Sequence, residues 1–194
     1  MKKYPLLAMT LLVALVASAC ATDTGTSGSA ASSAEPASSP AISQEMKDKA
    51  LVETMPEQFA VYRQVLEGLK DIQTQAQAGT LDKEAALNRI KASHGINTFV
   101  KPIAGNDPKT VEFPSLTKDQ QEVFTPFYEK MVNSAKDLLT LAQDTQSALE
   151  EENGDWPALI SRSDQLLAQA KADEEALRDA YAQSGLEPLP TNDQ

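Results

Sequence analysis

Apolar residues recur at alternating steps of three and four along three long stretches of this chain, and this spacing predicts amphipathic helices. The first stretch covers residues 43–78. Its apolar face comprises Val52, Met55, Phe59, Tyr62, Leu66, Leu69 and Ile72. One face of such a helix must be buried against other helices, so the spacing favours an all-α fold.

The first stretch also contains signals for where helices begin and end. Ser43 is a favourable N-cap residue. Pro56 suits the first turn of a helix but not its interior, because it has no amide proton, so we expect helices over residues 43–54 and 56–78. Gly79, which can adopt the left-handed backbone conformation, is expected to end the second of these helices.

A shorter helix is expected next, from a Thr80 cap to Ser93, and it should fold back on the first stretch as a hairpin. His94 and Gly95 form its stop signal. His94 is the sole histidine of the chain. We expect it to cap the last carbonyl groups of this helix, where a histidine is also favoured electrostatically.

Residues 95–116 show no helical period and contain Pro102, Pro108 and Pro114, with a turn signal at residues 105–108. Apolar residues are nevertheless frequent there. We therefore expect a long ordered loop laid across the bundle, with room for two short extended segments.

Thr117 and Gln120 have the spacing of a capping box, which predicts the start of a long helix. Its core face should comprise Phe124, Phe127, Met131, Ala135, Leu138, Ala142, Thr145 and Leu149. Pro126 should kink or restart this helix. Asp155 should cap a last helix, which Gly185 ends, with the apolar residues Trp156, Leu159, Ile160, Leu166, Leu167, Ala170, Leu177 and Tyr181.

The N-terminus has the layout of a secretory signal peptide. Lys2 and Lys3 precede an apolar run over residues 6–16, and small residues follow at positions 17–19. The run is shorter than the roughly 20 apolar residues that a membrane-spanning helix needs. We expect cleavage between Ala19 and Cys20.

Residues 15–20, Leu-Val-Ala-Ser-Ala-Cys, resemble the lipobox of bacterial lipoproteins. The resemblance implies that Cys20 is lipidated with diacylglyceryl, becomes the mature N-terminus and holds the protein at a membrane. Position 17 is Ala where that family usually has Leu, and residues 17–19 also fit ordinary signal peptidase, so cleavage without lipidation stays open. In proteobacteria, the residue Ala21 after the cysteine implies the outer membrane, because Asp there signals retention in the inner membrane.

Cys20 is the sole cysteine, so it closes no intrachain disulfide. Removing residues 1–19 changes the net charge from −11 to −13, because two lysines and no acids are lost. So acidic a protein repels nucleic acid and anionic lipid, and we expect no nucleic-acid partner. Attachment to a membrane would depend on the lipid.

We therefore divide the chain into a signal peptide (1–19), the lipidated Cys20 with an Ala/Ser/Thr/Gly/Pro linker (20–42), a bundle domain (43–185) and an extended tail (186–194). The linker composition is typical of disorder, with an end-to-end distance of roughly 25 Å. The fold class is an antiparallel three- to four-helix bundle with a long ordered loop over about 95–116. The segment Pro114 to Phe127 resembles part of an uncharacterised family of enterobacterial helical lipoproteins, which brings no known activity.

No catalytic or metal-ligating pattern is present in the sequence. A single histidine excludes histidine-rich metal sites, and no phosphate-binding or hydrolase motif occurs. The acidic runs at residues 150–152 and 173–175 lack calcium-loop spacing, and we interpret them as solvated surfaces. Tyr62, Phe124, Phe127, Tyr128, Trp156 and Tyr181 could line a groove, but their helical spacing favours core packing.

We therefore expect a non-enzymatic envelope lipoprotein without cofactors, which binds a protein partner or contributes to envelope structure or assembly. The alternative is a lipoprotein that binds a small molecule or metal in a pocket between the helices and the 95–116 loop. An enzyme acting on the cell wall is the third reading, since paired carboxylates can hydrolyse glycosides. No such pair is predicted to lie in an aromatic cleft.

Overall fold

Five α-helices account for most of residues 43–186, the part of the chain that this computed structural model describes. They are α1 (Gln44–Gln77), α2 (Lys83–Lys91), α3 (Lys101–Ala104), α4 (Lys118–Glu151) and α5 (Trp156–Gln183). A π-helical turn, Gly95–Val100, leads directly into α3, and a 3-10 turn covers Pro108–Thr110. Residues 43–186 contain no β-strand, so the all-α prediction is confirmed.

Side-chain pairs between helices show that α1 and α5 are antiparallel. Arg63 on α1 pairs with Glu174, and Gln73, ten residues further along α1, pairs with Ser163, eleven residues earlier on α5. Gln73 also contacts Thr145, while Asp48 at the start of α1 contacts Ser115 just before α4, so α1 and α4 run in the same direction.

Residues 83–104, comprising α2, the π-helical turn and α3, form a fourth arm that we call the broken arm. Arg89 near its start lies beside Asp71 late in α1, and Phe99 further along lies beside Gln58, earlier in α1. The broken arm therefore runs antiparallel to α1. The predicted antiparallel bundle is confirmed, with three long helices and one interrupted arm.

One apolar cluster runs through the bundle and contains most of the predicted core residues. All seven residues predicted for the face of α1 are buried. On α4, Phe127 is partly exposed, whereas Tyr128 is buried beside Phe124. On α5, only Ala170 and Leu177 of the predicted residues are buried, and polar Ser163, Asp173 and Glu174 are buried with them.

The prediction that Pro56 divides the first stretch is wrong. Helix α1 continues through Pro56 as one helix of 34 residues. The apolar residues on both sides of the proline, Met55 and Phe59 among them, lie on the same buried face. Their packing outweighs the roughly 3 kcal/mol that an interior proline costs. Pro126 likewise lies inside α4, which does not restart there.

Four helix boundaries are as predicted, and one helix start is not. Ser43 caps α1 through a hydrogen bond from the Met46 amide at 3.2 Å, and Gly79 follows the helix with a φ of +68°. Asp155 caps α5 and Gly185 ends it with a φ of +70°. Helix α2 is capped by Asp82 rather than by Thr80, because the Asp82 carboxylate reaches the Ala85 amide at 3.0 Å.

The capping box at the start of α4 is confirmed. Thr117 Oγ1 accepts from the Gln120 amide, and Gln120 Oε1 accepts from the Thr117 amide at 3.0 Å. Helix α4 ends within the acidic run at residues 150–152, where Glu152 adopts a left-handed φ of 58°. The chain then turns directly into α5, so the two helices form a hairpin.

Residues 95–116 are ordered, as predicted, but their first ten residues are helical rather than a loop, and no β-strand forms there. A π-helical turn is wider than an α-helical turn, so its apolar residues fall out of the 3.6-residue period. Beyond α3 the chain is fastened to α1. Asp48 accepts hydrogen bonds from both the backbone amide and the hydroxyl of Ser115.

Candidate functional site

The predicted lipidation site lies outside the residues that the structure describes. The same is true of the whole signal peptide with its predicted cleavage site at Ala19 and Cys20, of the linker up to residue 42, and of tail residues 187–194. Among residues 43–186, no helix combines the length and the apolar character needed to cross a membrane. The lipobox therefore stays a prediction from the sequence.

A buried polar network joins α1, α4 and α5. The Gln73 side chain is fully buried, its amide nitrogen donates to Thr145 Oγ1 at 2.8 Å, and its carbonyl oxygen accepts from Ser163 Oγ at 2.7 Å. Thr145 Oγ1 in turn donates to the Leu141 carbonyl. Each of these side chains satisfies the hydrogen-bonding needs of another buried group, so we interpret the network as structural.

Two carboxylates of the predicted solvated run at 173–175 are buried, and that interpretation was wrong for them. Asp173 is 3% exposed and accepts from Lys130 at 2.8 Å and from Gln169 at 2.7 Å. Glu174 is 8% exposed and pairs with Arg63 at 2.9 Å and with Arg178 at 3.1 Å. A buried carboxylate needs such partners, because its isolated charge is costly to desolvate.

The other acidic run, at the end of α4, is exposed as predicted, and it meets the basic residues of α2. Lys83 contacts Glu152 at 2.7 Å, and Lys91 contacts Glu150 at 3.2 Å. The hydrogen bond from Gln146, followed by Lys91, lowers the pKa of Glu150. The hydrogen bond from Lys83 lowers the pKa of Glu152. These pairs tie the start of the broken arm to the end of α4.

The six aromatic residues pack in or against the core, as expected, rather than lining a groove. Phe124 lies 6.4 Å from Tyr181, and Phe59 lies 6.0 Å from Tyr62, measured between ring centroids. Burial raises the pKa of Tyr62 well above its usual value, and the Gln58 side chain partly opposes this shift. The Tyr62 hydroxyl has no hydrogen-bond partner among the described residues.

His94 does not cap the preceding helix, contrary to the prediction. Helix α2 ends earlier, and its Lys91 carbonyl accepts instead from the Asn97 side chain at 2.9 Å. The His94 ring lies edge-on to Phe99, and its Nδ1 is 3.1 Å from Thr98 Oγ1. His94 therefore helps to shape the π-helical turn.

An apolar cleft opens to solvent where the broken arm is interrupted. It has a volume of about 280 Å³ and lies between α1, the end of α2 and the start of the π-helical turn. Its apolar walls come from Val61, Val65, Leu69, Ile72, Ile90 and Ile96. Arg89, Gln64 and Ser93 add polar groups. Of the 95–116 segment, only Gly95 and Ile96 line this cleft.

Two glycines bordering the cleft have opposite surroundings. A Cβ atom built on Gly95 would lie 2.5 Å from a methyl group of Val65, so only glycine lets the π-helical turn approach α1 so closely. A Cβ atom built on Gly68 would meet no atom within 4 Å. Gly68 therefore leaves open space at the α1 wall of the cleft.

The sequence suggested, as an alternative, a pocket between the helices and the 95–116 loop, but it identified no lining residues. One signal was available, namely a glycine at position 68 inside a strongly helical stretch. No group of three or more histidine, cysteine, aspartate or glutamate side chains within residues 43–186 is arranged to hold a metal ion. Comparison with protein-family models, curated proteins and solved structures gives no match for this chain.

Proposed function

We propose that this protein is an exported, lipid-anchored envelope protein that acts by binding a protein partner rather than by catalysis. Export and lipid anchoring are supported by the basic start, the apolar run and the lipobox-like sequence ending in Cys20. Ala21 favours the outer membrane in a Gram-negative source. A long Ser- and Ala-rich segment between Cys20 and the bundle would let the bundle reach partners at a distance from the bilayer.

The cleft is the observation that carries the binding role. It is an apolar recess that is open to solvent. The buried polar groups of the bundle, by contrast, are occupied by contacts with one another. Protein interfaces are anchored by a few side chains seated in such recesses, surrounded by contacts that exclude water. A recess of about 280 Å³ has room for such an anchoring side chain.

Metabolic labelling with a palmitate analogue tests the predicted lipidation of Cys20. We expect the full chain to incorporate the label and the Cys20→Ser chain to lose it. Ser18→Ala is the matched control, since it changes a neighbouring residue and keeps the cysteine. Labelling that persists in Cys20→Ser would refute lipidation at this position, and equal absence of label from both chains would favour simple secretion.

Photo-crosslinking in the intact envelope tests the binding role. Benzoylphenylalanine is introduced into the full chain at exposed positions spread over the bundle, including Gln64 beside the cleft and Gln143 on α4. We expect a discrete crosslinked protein from at least one position. A surface that yields no discrete product from any position, with no envelope defect in a deletion strain, would contradict the binding and structural roles together.

A small-molecule role is the second candidate, and the position of the cleft beside residues 95 and 96 favours it. A thermal-shift screen with lipids, haem and muropeptides separates it from the first. A ligand present at 100 times its Kd adds about 2.7 kcal/mol to the free energy of unfolding. A screen with no shift for the full chain would remove this candidate.

A further inference from the structure

The broken arm carries the opposite charge to the rest of the molecule. Residues 83–104 include four basic residues, Lys83, Arg89, Lys91 and Lys101, against the single acid Glu84. The whole chain has a net charge of −11, and α1, α4 and α5 each contain more acidic than basic residues. Lys83 and Lys91 pair with Glu152 and Glu150 at the end of α4, so Arg89 is the cation of this arm that lines the cleft.

Arg89 brings this positive charge to the cleft. It lines the cleft, its side chain is 54% exposed, and its guanidinium makes one long ion pair, at 3.5 Å, with Asp71. That carboxylate is shared, because it also accepts from Gln75 at 2.9 Å. A guanidinium has five N–H donors in a planar fork suited to carboxylates, so Arg89 retains donors for a second acid.

The shape of the cleft favours a short protein segment over a small molecule. It is open to solvent, whereas sites for drug-sized ligands bury most of the ligand's surface. Its α1 wall extends from Val61 to Ile72, which corresponds to roughly 16 Å along the helix axis. Such a recess accommodates one apolar side chain, with neighbouring residues of the same segment lying along α1.

Gly68 lies in this wall without a structural need for glycine. Its φ is not in the left-handed region, and added side-chain atoms would meet nothing within 4 Å. Glycine inside a helix is destabilising relative to alanine. The open space at Gly68 therefore serves no contact within the described residues, and it would let another chain approach the α1 backbone.

We propose that the cleft binds an acidic segment of a partner protein, with an apolar side chain seated over Gly68 and a neighbouring carboxylate paired with Arg89. This inference rests on the proposed binding function and specifies its site and the chemistry of the partner. The pairing resembles established modes in which apolar anchors provide affinity and flanking charges provide orientation.

Fluorescence anisotropy with synthetic peptides tests the site on the full chain in detergent. The probe is a labelled peptide of about twelve residues with two leucines one helical turn apart and glutamates on either side. The matched peptide has lysine in place of every glutamate. We expect the acidic peptide to bind, the basic peptide to bind at least about tenfold more weakly, and the acidic affinity to fall as salt rises.

Two pairs of variants locate the binding. Gly68→Leu fills the cleft and should weaken the acidic peptide at least about tenfold. Thr74→Leu, an exposed position on the same helix outside the cleft, should leave it unchanged. Arg89→Gln should weaken binding and reduce its salt dependence, whereas Arg162→Gln removes a comparable exposed ion pair elsewhere and should not. Arg89 is exposed, so this pair remains informative if Gly68→Leu fails to fold.

Several results would overturn the proposal. These are no binding of the acidic peptide up to about 1 mM, equal binding of acidic and basic peptides, or equal effects of Gly68→Leu and Thr74→Leu. Dodecanoate that binds in a Gly68-dependent manner, when the peptide does not, would assign the cleft to a small amphiphile. Envelope crosslinks from Gln143 but not from Gln64 would leave the binding function standing and remove only this site.

Discussion

Helix α1 packs against two surfaces of different chemistry. Towards α5 it presents polar and charged groups that have defined partners, including Gln73 with Ser163 and Arg63 with Glu174. Towards the broken arm it presents mainly apolar groups, with Val65 closely packed against Gly95. Directional pairs fix the register of two helices, whereas apolar contacts depend chiefly on volume and shape. The second kind of interface can leave a recess open, and the cleft lies there.

The largest effect is expected from breaking the α5 side at Gln73. Gln73→Ala leaves the Ser163 hydroxyl without its acceptor in a buried site and opens a cavity, so the free energy of unfolding should fall by about 3 kcal/mol. Urea unfolding followed by circular dichroism measures it. Gln75→Ala, on the same helix and not buried, should lower the free energy of unfolding by only a few tenths of a kcal/mol. Equal losses for the two variants would show that the buried network contributes no stability.

The ion pairs between α1 and α5 allow a finer comparison by burial. The Glu174 side chain is 11% exposed and its Arg63 partner 34%, whereas Asp164 and Lys70 are 52% and 38% exposed. A double-mutant cycle should give a coupling of about 2 kcal/mol for Arg63 and Glu174, reduced from a fully buried pair by the solvent around the arginine. The Lys70 and Asp164 cycle should give below about 0.5 kcal/mol. Couplings in the reverse order would contradict the assignment.

The broken-arm side should respond in the opposite direction to a substitution at Gly68. Gly68→Ala adds a methyl group in open space within helix α1, so stability should rise by about 1 kcal/mol. Gly79→Ala is the matched control, because its added methyl group also meets nothing, while its φ of +68° disfavours alanine. We expect thermal unfolding to show Gly68→Ala raising the Tm and Gly79→Ala lowering it. A lower Tm for Gly68→Ala would mean that this position needs glycine.

The smallest effect concerns pH at the junction of α2 and α4. The pKa values of Glu150 and Glu152 are lowered in the folded protein, chiefly by Gln146 and by Lys83 respectively. A lowered carboxylate pKa contributes stability above the ordinary pKa of glutamate, and the contribution is lost as the pH falls through the folded value. Both groups are exposed to solvent, so the loss should be small. Urea midpoints at pH 7 and pH 3 should differ slightly less for Lys83→Met than for the parent chain, and an unchanged difference would remove these pairs from the acid response.

The sequence predicted those parts of the fold in which apolar periodicity and capping act locally. The core faces of α1 and α4, the Thr117 capping box and the Gly79 and Gly185 helix ends follow from such signals. Pro56 was misread because its effect on the helix depends on packing between helices, which outweighs the local cost.

The inner face of α5 could not be read from apolar spacing. Its buried Ser163, Asp173 and Glu174 are stable there because residues far away in sequence, Gln73, Lys130 and Arg63, supply their partners. The π-helical turn escaped detection for a related reason, since its wider turn removes the period on which the prediction relied. The cleft depends on the break in the arm, so its lining residues could not be identified from the sequence.

The fastening of Asp48 to Ser115 bears on how the bundle would carry a mechanical load. If the chain is held at its N-terminus, a pull enters the described fold at Ser43, along the axis of α1. The hydrogen bonds that Ser115 donates to Asp48 lie one to two turns inside that point, and the contacts of α1 with α4 and α5 extend beyond them. The load would act in shear on many contacts at once rather than peel them apart one after another. The helix that organises the bundle would thus also be the one that resists extraction.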